Sequence, residues 1–419
     1  PYLYRTRDYG ATWQLITKGI AANAFVRGIR EDTERRGLLF AGTELGVYVS
    51  FDDGGNWQSL QLNLPVTSVR DLTIHGDDLV AATHGRSFWI LDDITPLRQA
   101  HDTEKDDAFW LYHPARAYRI DNDSFAGTPL PPEEPTAENP PAGAIIDYSL
   151  KSSASTVTLE IFDAEQELVH GFSSGDKNLE KRPPVPIAER WFPKPEVLET
   201  DPGMHRFVWD LSWSSSGGPS MDEEAELRNP RGPKAVPGIY TVKLTVDGKA
   251  QTQPLEVVMD PRSPATPETL RQQLQLGQQI FAETREAQRA LAEIGSLRKR
   301  LADLQQKVGE KDSAVKSALA EAQTEISKIE SKRGAVGQAS GLQDALVDMV
   351  SALRVVENGD RAVPSQAIAL YSQSSERVKR AIAEWSEFKT TKLPRLNQKL
   401  SEANLPSITI SEIEPGVHF

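Results

Sequence analysis

The sequence predicts a multidomain chain, β plus α. Short repeated strands come first, a β-sandwich follows, and an antiparallel helical bundle closes the chain. Three observations carry this reading. An aromatic-to-Trp motif occurs twice in the first 57 residues. Strand-like alternation runs through 144–261. From Pro264 the apolar period changes from two to three and four.

The repeat is read from Tyr4-Arg5-Thr6-Arg7-Asp8-Tyr9-Gly10-Ala11-Thr12-Trp13 and Tyr48-Val49-Ser50-Phe51-Asp52-Asp53-Gly54-Gly55-Asn56-Trp57. Both follow aromatic-x-(Ser/Thr)-x-Asp-x-Gly-x-(Thr/Asn)-Trp, with the Asp residues 44 apart. A degenerate third copy, Phe88 to Asp93, keeps an aromatic four residues before Asp92 but lacks the Gly and the Trp. Strand-like runs lie between the motifs: Leu38 to Gly42, Val47 to Phe51, Val69 to His75, Leu79 to Ala82 and Ser87 to Leu91. A period near 40 with four short strands per unit is the pattern of β-propeller blades.

These motifs resemble the Asp box, or BNR repeat, of sialidases, xyloglucan-cleaving glycosidases, sortilin-type propellers and bacterial exported proteins. The resemblance implies that 1–115 are the C-terminal blades of such a propeller. It implies a structural role for Thr6, Asp8, Gly10, Trp13, Ser50, Asp52, Gly54 and Trp57, on the face away from any active centre. It also implies an extracytoplasmic location, periplasmic or secreted. About two and a half blades are present, so further blades or a partner chain are expected to close the ring. The chain is expected to be the C-terminal part of a longer polypeptide.

Residues 116–143, rich in Pro and acidic residues, read as a linker. The span 144–261 then offers six or seven strands, among them Val157 to Phe162, Gly203 to Leu211, Pro237 to Val246 and Gln251 to Met259. The phrases GMHRFVWDL and VPGIYTVKLTVDG resemble the small Ig-like domain of flagellar-hook capping proteins, which implies spacing or display and no chemistry. In 262–405, Thr266-Pro267-Glu268 opens a helix ending near Gly309. Further helices are expected at Ser313 to Lys332, Leu342 to Val356, Pro364 to Phe388 and Leu393 to Ala403, with a tail over 406–419. The charge runs on these helices read as solvated faces.

The formal net charge is −13, which argues against nucleic-acid binding, because phosphate contacts need clustered cations. There is no cysteine, hence no disulfide, thiolate metal site or Cys nucleophile. No apolar run is long enough to span a bilayer. The seven His are dispersed, and no phosphate loop, dinucleotide fingerprint or nucleophile elbow is present. No catalytic residue, metal site or cofactor is assigned.

Aligning the repeats puts Glu44 at one turn and His84 and Arg86 at the equivalent turn of the next unit. The three are candidate ligand-binding residues at the mouth of a central channel, suited to an anionic or peptide ligand. The structural reading is an Arg86–Glu44 pair across neighbouring blades. Trp191 and Trp213, in Pro-rich and Ser-rich loops, are suited either to stacking on sugar or to packing under a loop.

Three functions fit. One is a non-catalytic binding or scaffold protein that takes a protein, peptide or glycan. Another is a glycoside hydrolase with catalytic residues upstream. The third is an assembly subunit whose helices bind a partner.

Overall fold

The computed structural model describes residues 1–100, 107–120, 140–176, 197–213, 231–308, 313–330 and 341–410. Most of the expected linker, Trp191 and the last part of the tail lie outside the described residues.

The first hundred residues build three small antiparallel sheets. Strands β1 (Tyr4–Arg5) and β2 (Gln14–Leu15) pair alone. Strands β3 (Val26–Glu31), β4 (Leu39–Thr43), β5 (Gly46–Ser50) and β6 (Gln58–Ser59) form a sheet in sequence order. Strands β7 (Val69–His75), β8 (Asp78–Thr83) and β9 (Phe88–Leu91) form the third. Strands β4 and β5 are apolar on both faces because the middle sheet packs on both sides. Phe40, Val47 and Val49 share a core with Val69, Leu72 and Leu79 of the third sheet. Leu39, Ala41 and Trp57 close a second core over Ile20 and Ala24.

The repetition extends to backbone detail. β3 pairs Val26 with Thr43 and then skips Arg27 in a bulge; β7 pairs Val69 with Thr83 and then skips Arg70. Units two and three diverge at their outer edge. β6 covers β5, whereas the chain leaves β9 for the short helix α1 (Thr95–Gln99). Arg98 of α1 is bonded to Asp32, Asp77 and the Gly76 carbonyl, which ties the helix across the hairpins.

Eight further strands follow: β10 (Phe109–Leu111), β11 (Ala117–Arg119), β12 (Ala144–Leu150), β13 (Val157–Phe162), β14 (Leu168–Ser173), β15 (Gly203–Trp209), β16 (Gly238–Val246) and β17 (Lys249–Met259). They form two sheets, β10-β12-β15 and β11-β17-β16-β13-β14, around one core that includes Trp209, Tyr148, Leu244 and Val257. Alternating buried residues along β13 and β16 supply one wall. The β16–β17 hairpin closes through Asp247 and Gly248, both at positive φ, the conformation such a two-residue turn demands. The Tyr240 hydroxyl donates to the Val236 carbonyl at 2.7 Å and fixes the Pro-Gly corner before it.

Strands β10 and β11 correct the expected boundaries. The span to residue 115 was expected to be blade, and 116–143 linker. Phe109–Leu111 instead pairs with β12, and Ala117–Arg119 pairs in parallel with β17. Both strands therefore belong to the sandwich.

The helices match the expected spans closely. They are α2 (Pro267–Lys307), α3 (Ser313–Glu330), α4 (Leu342–Glu357), α5 (Ser365–Glu387) and α6 (Leu393–Glu402), with a π turn over Phe388–Lys392 joining the last two. Thr266 caps α2 by accepting from the Thr269 N–H, and Pro267 occupies the first turn, where no N–H is needed. Cross-helix pairs set the directions. Arg298 with Glu330 and Gln305 with Gln323 run α2 against α3. Gln273 at the start of α2 reaches the Val356 carbonyl at the end of α4, so α2 also opposes α4. All five helices share one core, including Ile294, Leu319, Met349, Val378 and Leu400. No helix among the described residues is long and apolar enough to cross a membrane.

Candidate ligand-binding site at the strand turns

Glu44 lies in the turn between β4 and β5, and His84 and Arg86 lie in the turn between β8 and β9. The two turns are held alike. The Glu44 N–H donates to the Phe25 carbonyl at 3.0 Å, and the His84 N–H donates to the Ser68 carbonyl at 2.8 Å. Phe25 and Ser68 each precede the strand that carries the bulged arginine. Glu44 and His84 are thus equivalent positions in adjacent units, as the repeat predicts.

The partners of Glu44 differ from those expected. Arg27 is bonded to its carboxylate, and Arg70 Nη1 lies 3.8 Å from Oε1. Among the described residues Arg86 makes no ion pair, and its carbonyl accepts from the Trp89 indole at 2.8 Å. The two arginines at Glu44 are the bulged residues. A bulge re-aims a side chain, and here it brings both guanidinium groups to one carboxylate. The Ser68 hydroxyl and the Arg27 guanidinium hold Glu44 below the ordinary carboxylate pKa. Glu44 is therefore an anion at neutral pH and a poor proton donor.

Arg27 and Arg70 thus meet Glu44 at one turn, while His84 and Arg86 lie in the equivalent turn of the next unit. Arg27 and Arg70 are more than two-fifths exposed, at 43% and 46% of the side chain, so their donors remain open to solvent. His84 and Arg86 are exposed as well. The local balance is cationic in a chain whose net charge is −13. Such a cluster suits carboxylates or other oxyanions, which guanidinium groups hold with paired hydrogen bonds.

The Asp motifs occupy the opposite ends of the strands. Glu44 precedes β5 and Asp52 follows it. Asp52 Oδ1 accepts from the Ser50 hydroxyl at 2.9 Å and the Asn56 N–H at 2.8 Å, and Oδ2 accepts from Asn56 Nδ2 at 2.7 Å. Asp8 repeats this with Thr6 at 2.8 Å and with the Thr12 N–H and hydroxyl at 2.8 and 2.6 Å. Gly10 and Gly54 donate to Thr6 and Ser50 from φ of +94° and +83°, where a side chain would be strained. The Thr12 side chain holds the Asp8 carboxyl down to a pKa of about 2. Asp52 is also lowered; burial opposes ionisation there, but the Asn56 and Ser50 hydrogen bonds outweigh it. Every oxygen of both carboxylates is engaged locally, which makes them parts of the loop.

Trp57 and Trp13 part company. Trp57 is 4% exposed and Trp13 is 62% exposed. The expected packing of the motif tryptophan between sheets therefore holds for Trp57 and not for Trp13. Asp92 keeps the place of a motif Asp, with Asp93 at φ 57° where Asp53 also has φ 57°. Among the described residues it has no such hydrogen-bond network. It is Asp93 that accepts from Thr95 instead, at 2.9 Å from the amide.

Elsewhere no group of three or more metal-ligating side chains occurs among the described residues. Trp213 is partly buried against the sandwich core, which fits packing better than sugar stacking. The sequence reading missed Arg27 and Arg70. Their signal was present: Arg27 lies 17 residues before Glu44 and Arg70 lies 14 before His84, in corresponding strands.

No family model matches the chain, and no curated protein matches it. A solved structure described as "Biofilm associated protein - BSP domain" aligns at a TM-score of 0.17 and 10% identity. The alignment covers 54% of this chain and 23% of that one, so the chain spans under a quarter of its length. At that similarity the fold is not shared in any usable sense, and the functional reading rests on the residues of this chain.

Proposed function

We propose that the chain is a non-catalytic, extracytoplasmic binding or scaffold protein. Its first hundred residues act as blades of an Asp-box β-propeller and hold an anionic peptide, protein or glycan. The contact surface is the two equivalent turns, Glu44 with Arg27 and Arg70 at one and His84 with Arg86 at the other. The Ig-like sandwich and the helical bundle serve as spacer and scaffold.

The observation that carries this reading is the equivalence of the Glu44 and His84 turns, with the bulged arginines delivered to the same place. Exposed apolar residues at both ends of the stack, Trp13 on one side and Phe88 and Ile90 on the other, support a ring continued by further blades. A glycosidase needs one carboxyl group to donate a proton and a second to act across a cleft. Glu44, the carboxylate of this cluster, is held ionised by its partners.

The test is a binding screen of acidic and neutral peptides and glycans, run beside a turnover assay on xyloglucan, cellulose oligomers and sialosides. Selective retention of acidic ligands without turnover is the expected result. Turnover, or retention that ignores ligand charge, contradicts the proposal.

A further inference from the structure

The sandwich meets the helical region through a buried polar joint. Arg119 of β11 is 2% exposed. Its Nε donates to Asp360 at 3.0 Å and its Nη1 to the Ala235 carbonyl at 2.6 Å. Gln273 of α2 bonds the Val356 and Gly359 carbonyls, fixing the end of α4. Glu357, the last residue of α4, enters the same joint. Its Oε2 accepts the Lys234 N–H at 2.9 Å, while its Oε1 is buried with no hydrogen-bond partner.

The fit around Glu357 is close. A Cβ on Gly277 of α2 would lie 2.7 Å from Glu357 Oε1 and 2.9 Å from Pro233 Cβ. Only glycine lets the helix approach so near. The carboxyl group is therefore wedged between α2 and the 231–237 loop of the sandwich, with one oxygen held and the other bare. A neutral acid tolerates that situation far better than an anion, because an unpartnered buried charge carries the full desolvation cost.

We propose that the joint between the sandwich and the helices is a pH-sensitive latch, closed while Glu357 is protonated and loosened when it ionises. The charged groups facing Glu357 are Arg119 from β11, Lys234 from the sandwich loop and Asp360 from the α4–α5 connection. Helix α2 presents Gln273 and Gly277 there, and neither titrates. Asp360 already neutralises Arg119, so that cation offers Glu357 limited help. Burial raises the Glu357 pKa from 4.5 to about 7, against the Lys234 amide and the Arg119 charge, which lower it.

The direction follows from proton linkage. Between pH 4.5 and 7 the closed joint holds a proton that the open joint releases. Closure is thus fullest below pH 4.5 and weakens as pH rises to about 7, with no further loss above that. The opening equilibrium rises by roughly a hundredfold across the window. The latch is independent of the ligand reading, because none of its residues belongs to the first hundred.

The natural absence of cysteine makes a single-thiol reporter clean. Pro233→Cys in the full chain places a thiol on the sandwich side, facing Gly277. Its labelling rate, divided by that of the denatured chain at each pH, reads opening. The expected result is protection that falls by roughly a hundredfold from pH 4.5 to 7.5, and that is flat and high in Pro233→Cys/Glu357→Gln. A pH profile unchanged by Glu357→Gln, or no loss of protection in the parent, overturns the latch. If the reporter chain does not fold, thermal melting of the parent and Glu357→Gln serves. Stabilisation by the substitution at pH 7.5 but not at pH 4.5 supports the latch, and equal effects at both overturn it.

Discussion

The indole Nε1 of Trp57 donates to the Ile16 carbonyl at 2.8 Å, and the Trp57 N–H reaches the Lys18 carbonyl at the same distance. One residue thereby locks the middle sheet onto the segment before it. Trp57→Ala removes a buried indole and should cost about 3–5 kcal/mol. Trp13→Ala, at the equivalent but exposed position, should cost under about 0.5 kcal/mol in this chain. Chemical unfolding of the two variants checks the contrast; equal losses would mean that Trp13 is buried in solution.

The Asp loops should be acid-sensitive in one direction only. Asp8 is lowered to about 2, and Asp52 is lowered as well. Their contribution is present above the ordinary value of 3.8 and is lost as pH falls through the lowered one. Carboxyl titration followed by NMR should place Asp8 near pH 2, and Asn56→Ala should move Asp52 upward. An Asp52 that titrates identically in that variant would deny the hydrogen bonds their role.

Much of this was legible in sequence because it is local. The helices of 266–403 follow a 3.6 period bounded by Pro267, Gly309 and Pro364, and they form where that pattern says. The Glu44 and His84 turns follow from repeat spacing. What escaped is non-local. Strands β10 and β11 are three residues each, too short for a period, and β11 pairs in parallel with a strand 140 residues away. Arg27 and Arg70 escaped because a bulge, invisible to alternation, turns them toward Glu44. The exposed state of Trp13 depends on a neighbour and not on its own motif.

Arg119 and Asp360 form an ion pair that is almost wholly buried, at 2% and 9% side-chain exposure. Asp360→Ala leaves the guanidinium without its counter-charge and should cost about 3–5 kcal/mol. Arg119→Met with Asp360→Leu, which removes both charges, should recover most of that loss. Denaturant midpoints of the single and double variants decide it, and a double variant as weak as the single one would show that packing dominates.

The helical region has its own core, so residues 262–410 expressed alone should be strongly helical by circular dichroism. With the sandwich gone and its carboxyl group opened to solvent, Glu357 in that fragment loses the burial that raises it and should titrate close to 4.5 instead of about 7. A coil-like spectrum would mean that the helices need the sandwich to fold.

The central claim is that the cationic turn cluster binds an anion. It is tested by calorimetric titration of the chain with an acidic ligand that the binding screen retains, comparing the parent with Arg70→Ala and Arg86→Ala at low and physiological salt. The cluster is open to solvent, so each substitution should weaken binding by about 0.5–2 kcal/mol without changing the thermal midpoint, and salt should narrow the difference. An affinity that is unchanged in both variants at low salt would contradict the account.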